Sequence, residues 1–280
     1  MVYCVELVLV IDSTRSMEHV LNTVKKQALS LGNDILVKAA QLQKHVDQIK
    51  IKVIGFRDFY GLHMKKIEDV IQESSFFDLS KESEVFKLFV DKIQPLYGED
   101  ERVSHTFENL EGQGPVNLDV EGVESPESGL EALNLAIRSE WKKESSYRQI
   151  IAIWTDATAH PLSSGQVERK YFTKDKIIKS ITRREGHKII EYNMYNISNC
   201  PVVKPDFYPK GLSQTLKELT SEWGQTMNVS AKRLVLFAPY VYPWQQISDN
   251  WDNVIHWNSS DNNLTISDYN VILEVLVNSI

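Results

Sequence analysis

The sequence predicts an α/β fold, in which helices cover both faces of a central β-sheet. Residues 3–11 form a short apolar run rich in Val and Leu, which is typical of a parallel strand buried on both faces. A helical stripe follows, because apolar residues recur every three or four positions at Val20, Val24, Ala28, Leu31, Ile35, Ala39, Leu42 and Val46. Further strand and helix patterns alternate after it, as they do in α/β domains.

The later elements continue this alternation. We predict strands at residues 51–56, 149–155, 233–238 and 254–256, an extended segment at 70–79, and helices at 82–93, 212–226 and 268–279. Pro126 lies in the first turn of another helix, whose apolar face carries Leu130, Leu133, Ile137 and Trp141. Residues 98–124 are interpreted as an exposed loop. The polar, partly basic residues 163–210 are a candidate insertion in one domain that spans residues 1–280.

Charge and composition argue against several classes of partner. The chain has 31 basic and 38 acidic side chains, so its net charge of -7 repels nucleic acid. We expect no membrane span, because no apolar run reaches the roughly 18 residues that cross a bilayer. The apolar start, interrupted by Glu6, is interpreted as a strand rather than a signal peptide. Cys4 and Cys200 form neither a disulfide framework nor a zinc signature, which indicates a reducing compartment, the cytoplasm.

Residues with side-chain oxygens follow two of the predicted strands. Asp12, Thr14 and Ser16 lie where the first strand meets the long helix, and Asp156 follows the strand at 149–155. Because ligands of open α/β sheets bind at the carboxyl ends of strands, we expect these side chains to converge at one edge. Such an all-oxygen set suits Mg²⁺, or alternatively Mn²⁺ or Ca²⁺, better than zinc or copper. The first turn is also typical of a helix N-cap, and capping and metal binding can coexist.

Three stretches resemble the metal-ion-dependent adhesion site (MIDAS) of von Willebrand factor A (VWA) domains. VIDSTRSM, at residues 10–17, resembles the D-x-[ST]-x-S motif, and WTDA, at residues 154–157, resembles the third loop of that site. GVESPESGLEAL, at residues 122–133, is similar to the middle loop, with Glu124 in the ligand position. FRDFYG and RLVLFAPYVYPW also resemble segments of stand-alone bacterial VWA proteins. The resemblance covers most of the chain and leaves residues 163–210 unmatched.

This resemblance implies a Rossmann-like VWA fold, with a mostly parallel sheet that has one antiparallel edge strand. It implies a divalent cation bound by five ligands, Asp12, Thr14, Ser16, Glu124 and Asp156. It also implies an adaptor or scaffold role, in which the metal binds an acidic residue of a protein partner. Similar stand-alone VWA proteins belong to tellurite-resistance-type stress and conflict systems, where the partners expected are kinases, phosphatases or ATPases.

Three residues depart from the MIDAS pattern, one of which is Val123 in place of a usual Gly. Arg15 replaces a small residue and places a cation in the metal loop, and Glu124 is longer than the usual Asp or Thr. Glu124 could bind the metal directly, bind it through water, or neutralise Arg15. The role of Glu124 therefore stays open at the level of sequence.

The alternative function is a Mg²⁺-dependent, phosphatase-like hydrolase that uses Asp12. Haloacid-dehalogenase phosphatases have D-x-D after the first strand, whereas this chain has Thr14 in place of the second aspartate and so lacks that acid/base. Nucleophile-elbow, P-loop and dinucleotide-binding motifs are absent from the sequence, so we expect no enzyme. His160 is interpreted as structural or solvated, and Arg57 and Asp58 as a local ion pair.

Overall fold

The computed structural model describes residues 3–14, 17–27, 29–59, 64, 66–94, 126–144, 146–162, 166–185, 188–258 and 266–280. For residues 166–185, 188–203, 266–268 and 271–272 it describes the backbone alone. The strands, in chain order, are β1 (Cys4–Asp12), β2 (Gln48–Phe56), β3 (Ile71–Glu73), β4 (Phe77–Asp78), β5 (Tyr147–Trp154), β6 (Gln166–Glu185), β7 (Lys188–Val203), β8 (Lys232–Ala238) and β9 (Val254–Asn258). The helices are α1 (Glu18–Gln27), α2 (Leu31–Gln41), α3 (Leu79–Lys92), α4 (Gly129–Ile137), α5 (Leu216–Thr226), α6 (Trp244–Asn250) and α7 (Ile266–Ser279).

A mostly parallel sheet forms the centre of the fold. Strands β2, β1, β5, β8 and β9 lie side by side in that order and run parallel. The short strands β3 and β4, both within the predicted extended segment 70–79, pair with β2 in the antiparallel sense and form one edge of the sheet. The predicted fold class, an α/β fold with a mostly parallel sheet and an antiparallel edge, is therefore confirmed.

Side chains of β1 alternate between two layers of helices. Leu7, Leu9 and Ile11 pack in the core that includes residues of α1, α2, α3 and α7. Val8 and Val10 pack in the core on the other face, with residues of α4, α5 and α6. Because both faces of this strand are buried, its sequence is apolar from Leu7 to Ile11 and does not alternate with polar residues there. No helix in the described ranges is long and apolar enough to cross a membrane.

The long helix predicted over residues 20–46 is wrong, because the structure has two helices there. Helix α1 ends at Gln27 and α2 begins at Leu31, with Ser30 between them. The Ser30 hydroxyl lies 3.3 Å from the Gln27 carbonyl, and a side-chain contact of this kind to the backbone competes with the hydrogen bonds of a continuous helix. The apolar periodicity continues across the break between the two helices, because both helices pack on the same face of the sheet.

Two other predictions change in detail. Helix α4 begins at Gly129, three residues after Pro126, and ends before Trp141, whose indole Nε1 donates to the carbonyls of Ala136 and Ile137 at 3.0 and 3.1 Å. Within the candidate insertion 163–210, β6 and β7 form a two-stranded antiparallel sheet of their own. The loop predicted at 98–124 lies outside the described residues, and the single-domain assignment stays a prediction.

The first residue of α4 is packed too closely for any side chain. A Cβ atom at Gly129 would lie 2.7 Å from Cζ2 and 2.9 Å from Cη2 of the buried Trp244 ring. We therefore expect Gly129→Ala to lower the free energy of unfolding by about 1–3 kcal/mol, measured by urea denaturation. Gly224 is the matched control, since a Cβ there meets no atom within 4 Å, and Gly224→Ala should stabilise α5 by about 0.5–1 kcal/mol. Equal effects at the two glycines would contradict the packing argument.

Candidate metal site

Asp12 and Asp156 lie at the same edge of the sheet, as the sequence predicts. Strands β1 and β5 are parallel neighbours, with Ile11 opposite Trp154, so Asp12 and the residues after Trp154 leave the sheet side by side. The hydroxyl of Thr155 donates to Oδ2 of Asp12 at 2.8 Å. The carboxylate of Asp156 lies close enough to Asp12 that its negative charge adds to the effect of burial in raising the pKa of Asp12.

Asp12 is fully buried and held through both oxygens of its carboxylate. Its Oδ1 accepts from the backbone N–H of Thr14 at 2.9 Å and from the Thr14 hydroxyl at 2.6 Å. Helix α1 begins only at Glu18, so these hydrogen bonds close the turn after β1 and do not cap that helix. Thr155 completes the arrangement, since its hydroxyl donates to Asp12 and also accepts from the N–H of Ala157 at 3.1 Å.

The electrostatics of Asp12 favour a bound cation. Burial, and then the neighbouring Asp156, raise the pKa of Asp12 to about 7, although hydrogen bonds from Thr14 and Thr155 favour the charged form. A carboxylate that is buried beside another carboxylate is stabilised by a nearby positive charge. The site therefore has the charge and the oxygen donors that a hard divalent cation requires.

The structure describes three of the five predicted ligands. Asp12, Thr14 and Asp156 lie together at the carboxyl edge of the sheet, whereas Ser16, Glu124 and the adjoining Arg15 lie outside the described residues. Within the described ranges, no three His, Cys, Asp or Glu side chains form a group that could hold a metal. Two carboxylates and a hydroxyl fit a cation such as Mg²⁺, which keeps several waters, better than a closed four-ligand zinc site.

Arg57 and Asp58 contact groups other than those that the sequence predicts. The guanidinium of Arg57 donates to the backbone carbonyls of Asp69, at 2.6 Å, and of Gln94. Burial lowers the pKa of Arg57 to about 10, while the charges of Asp69 and Asp12 oppose that shift. Asp58 Oδ1 lies 3.2 Å from Nε2 of His160, and both side chains are buried. Of the two settings that the sequence left open for His160, structural or solvated, the structure shows that the side chain is buried and not solvated.

Sequence reasoning missed a buried carboxyl group on α4. Glu131 is fully buried, and its Oε1 accepts from the Tyr208 hydroxyl at 2.9 Å. Burial raises the pKa of Glu131 to about 7, although the Tyr208 hydrogen bond and the nearby His160 favour the charged form. The available signal was its position in GLEALNLAI, where an acidic residue interrupts an otherwise apolar helix.

The sequence matches no protein-family model and no curated protein sequence. Among solved structures, it is similar to the pilus adhesin SpaC from Lactobacillus rhamnosus GG, with 11% identity and a TM-score of 0.46 over 99% of this chain and 31% of that chain. It is also similar to the vWF domain of the type V pili tip protein Mfa5 from Porphyromonas gingivalis, with 10% identity and a TM-score of 0.41 over 99% and 96% of the two chains. A third structure is proximal thread matrix protein 1 from the mussel byssus with a zinc-occupied MIDAS motif, with 10% identity and a TM-score of 0.37 over 99% and 48%. This chain therefore spans less than half the length of SpaC and of the mussel protein.

Proposed function

We propose that this chain is a VWA-type module that binds one divalent cation, Mg²⁺ or Mn²⁺, and uses it to bind an acidic residue of a protein partner. One observation carries the proposal: Asp12 and Asp156, far apart in the sequence, approach each other closely enough that the charge of Asp156 raises the pKa of Asp12. A fold gains nothing in stability from placing the half-buried carboxylate of Asp156 beside the buried carboxylate of Asp12. A bound cation would offset the repulsion between the two carboxylates and so accounts for their placement.

The cation would be held by oxygen atoms of Asp12, Thr14 and Asp156, with Ser16 and Glu124 as further ligands predicted from sequence. Thr14 and Thr155 orient Asp12 through three hydrogen bonds, so the carboxylate is fixed before a metal arrives. When bound, the metal supplies a positive charge with coordination positions that water or an outside carboxylate can fill. Ca²⁺ fits the same donor chemistry and is an alternative ion.

An acidic partner makes the binding dependent on the metal. The chain carries a net charge of -7, so an acidic segment approaching it without a cation is repelled. A carboxylate that binds the metal instead forms a short, charge-assisted contact that can dominate a small interface. The cytoplasmic setting, and a kinase, phosphatase or ATPase as the partner, are part of this proposal.

We favour binding over catalysis because of how Asp12 is held. A phosphatase of the haloacid-dehalogenase kind needs a second carboxylate to transfer the proton, whereas that position holds Thr14, whose hydroxyl donates to Oδ1 of Asp12 at 2.6 Å. The alternative, a Mg²⁺-dependent hydrolase that uses Asp12, is tested with an aryl phosphate. Turnover that requires Mg²⁺ and is lost in Asp12→Asn would replace the binding proposal with the catalytic one.

The cation is tested directly by titrating the purified chain with Mn²⁺ at pH 8 and following the electron paramagnetic resonance signal of free Mn²⁺. We expect one saturable site, competition by Mg²⁺, release by EDTA and a higher Tm in the presence of Mg²⁺. The partner is tested by pull-down from lysate with Mg²⁺ and with EDTA, in which only the Mg²⁺ arm should retain protein. Free Mn²⁺ that stays undepleted, with a Tm that Mg²⁺ does not change, would contradict the proposal.

A further inference from the structure

Three segments of the chain, one of which carries Asp156 of the candidate metal site, meet at Asp58. The first is the turn after β2, which carries Asp58 and Phe59, the second precedes α4 and contains Ser128, and the third is the loop after β5, which carries Asp156 and His160. The hydroxyl of Ser128 accepts from the N–H of Phe59 at 2.9 Å and lies 3.5 Å from Oδ1 of Asp58. The same Oδ1 lies 3.2 Å from Nε2 of His160. Asp58 is thus the point that all three segments share.

Backbone hydrogen bonds join the second and third segments to each other. The N–H of Glu127 donates to the carbonyl of Thr158, and the N–H of His160 donates to the carbonyl of Glu127, both at 2.9 Å. The indole of Trp244 also donates to the carbonyl of Ala157 at 3.0 Å. The loop that carries Asp156 is therefore fastened to the start of α4, which follows the predicted ligand Glu124 by a few residues.

The Asp58–His160 contact lies in a buried region of low dielectric constant. Both side chains and Ser128 are buried, and Glu131 lies close enough that the charges of Asp58 and His160 alter its pKa. The 3.2 Å approach does not have the geometry of a hydrogen bond, but in such a low-dielectric region removing one partner leaves the other charged or polar group uncompensated. Neither residue belongs to the predicted ligand set, so their effect on a cation is exerted through the segments that they join.

We propose that Asp58 and His160 are positioning residues, which hold the Asp156 loop and the start of α4 in the relative placement that cation binding requires. This inference rests on the proposed function, since it concerns the affinity of the same site. Groups that orient metal ligands typically change metal affinity by about 10–100-fold when they are removed. The contact therefore sets the affinity of the site for its cation as well as the stability of the fold.

The test compares two substitutions of His160 by Mn²⁺ titration at pH 8, well below the Tm of each variant. His160→Leu removes the ring nitrogen that lies 3.2 Å from Oδ1 of Asp58 and should weaken Mn²⁺ binding at least tenfold. His160→Gln restores an N–H group that can reach the carboxylate, so it should return the affinity to within about threefold of the parent chain. Rescue of affinity by Gln separates positioning from a general loss of packing.

A matched control lies at the far end of α4. Arg138 forms an ion pair with Glu222 of α5, and Arg138→Met should lower the Tm while leaving the Mn²⁺ affinity within twofold of the parent. If His160→Leu does not fold, Asp58→Asn, which keeps the shape of the side chain, takes its place and should also weaken binding about tenfold. A folded His160→Leu or Asp58→Asn with parental affinity would overturn this inference. A parent chain that binds no Mn²⁺ would instead overturn the proposed function.

Discussion

Replacing Asp12 with Asn is expected to abolish cation binding and to leave the metal-free protein at least as stable as the parent. Asn keeps the size of the side chain and an oxygen that can accept from Thr14, but it removes the negative charge that the cation needs. Because burial and Asp156 disfavour that charge in the metal-free protein, its removal relieves an electrostatic penalty. The measurements are Mn²⁺ titration and urea denaturation, both at pH 8, and we expect affinity to fall by more than about 100-fold.

Asp91→Asn is the control for this substitution. Asp91 lies on the surface of α3 and pairs with Lys87 one helical turn away, so its neutralisation changes the net charge of the chain by the same amount. It should change neither the Mn²⁺ affinity nor, by more than about 0.5 kcal/mol, the stability. An Asp12→Asn variant that binds Mn²⁺ like the Asp91→Asn variant would remove Asp12 from the site.

The second large effect expected is a steep dependence of cation binding on pH. Since the pKa of Asp12 is raised to about 7, a cation must displace a proton from this carboxyl group at lower pH. We expect the Mn²⁺ affinity to fall about tenfold for each pH unit below 7, when titrations are compared at pH 8, 7, 6 and 5.5. An affinity that does not change across this range would show that Asp12 is already ionised and would contradict the argument.

The stability of the metal-free protein should change with pH in the opposite direction. Between the ordinary carboxyl pKa of 3.8 and the raised value of about 7, folded Asp12 keeps a proton that the unfolded chain has lost. Stability therefore falls as pH rises through this window, and Tm should be higher at pH 5.5 than at pH 8. Added Mg²⁺ should raise the Tm at pH 8 and have little effect at pH 5.5.

A substitution of Glu131 distinguishes its contribution to the pH dependence of Tm from that of Asp12. Its pKa is also raised to about 7, so it destabilises the folded chain over the same window and with the same sign. Glu131→Gln should remove part of the pH dependence of Tm in the metal-free protein while leaving the pH dependence of Mn²⁺ affinity in place. Asp12→Asn should remove a further part together with the binding itself.

The sequence predicts the strands of the sheet well because their signals are local. The apolar run that precedes Asp12 and the strand that precedes Asp156 both end where the chain leaves a buried sheet, so their carboxylates could be placed at one edge without a structure. The break at Ser30 was missed for a local reason too, since an apolar stripe that stays in phase across a turn looks like one helix.

The support behind the site could not be predicted in the same way. Asp58 and His160 meet only because β2 and β5 lie on either side of β1, and no spacing between them in the sequence carries that information. Thr155 is part of the WTDA stretch, but its hydrogen bond to Asp12 depends on the register of β5 against β1. Glu131 was hidden because its helix is apolar on nearly every side.

The alternation of side chains along β1 has a consequence for how this protein can change. Successive residues of β1 point to opposite faces of the sheet. Asp12 therefore points to the same face as Val8 and Val10, which pack in the layer of α4, and away from the layer that contains Leu7, Leu9 and Ile11. Exchanging one aliphatic residue for another keeps that orientation, whereas losing one of the residues between Val8 and Asp12 directs the carboxylate into the opposite layer. Natural variants of this strand must therefore keep an even number of residue positions from Val8 to Asp12. That spacing matters more than the identity of any one hydrophobic side chain.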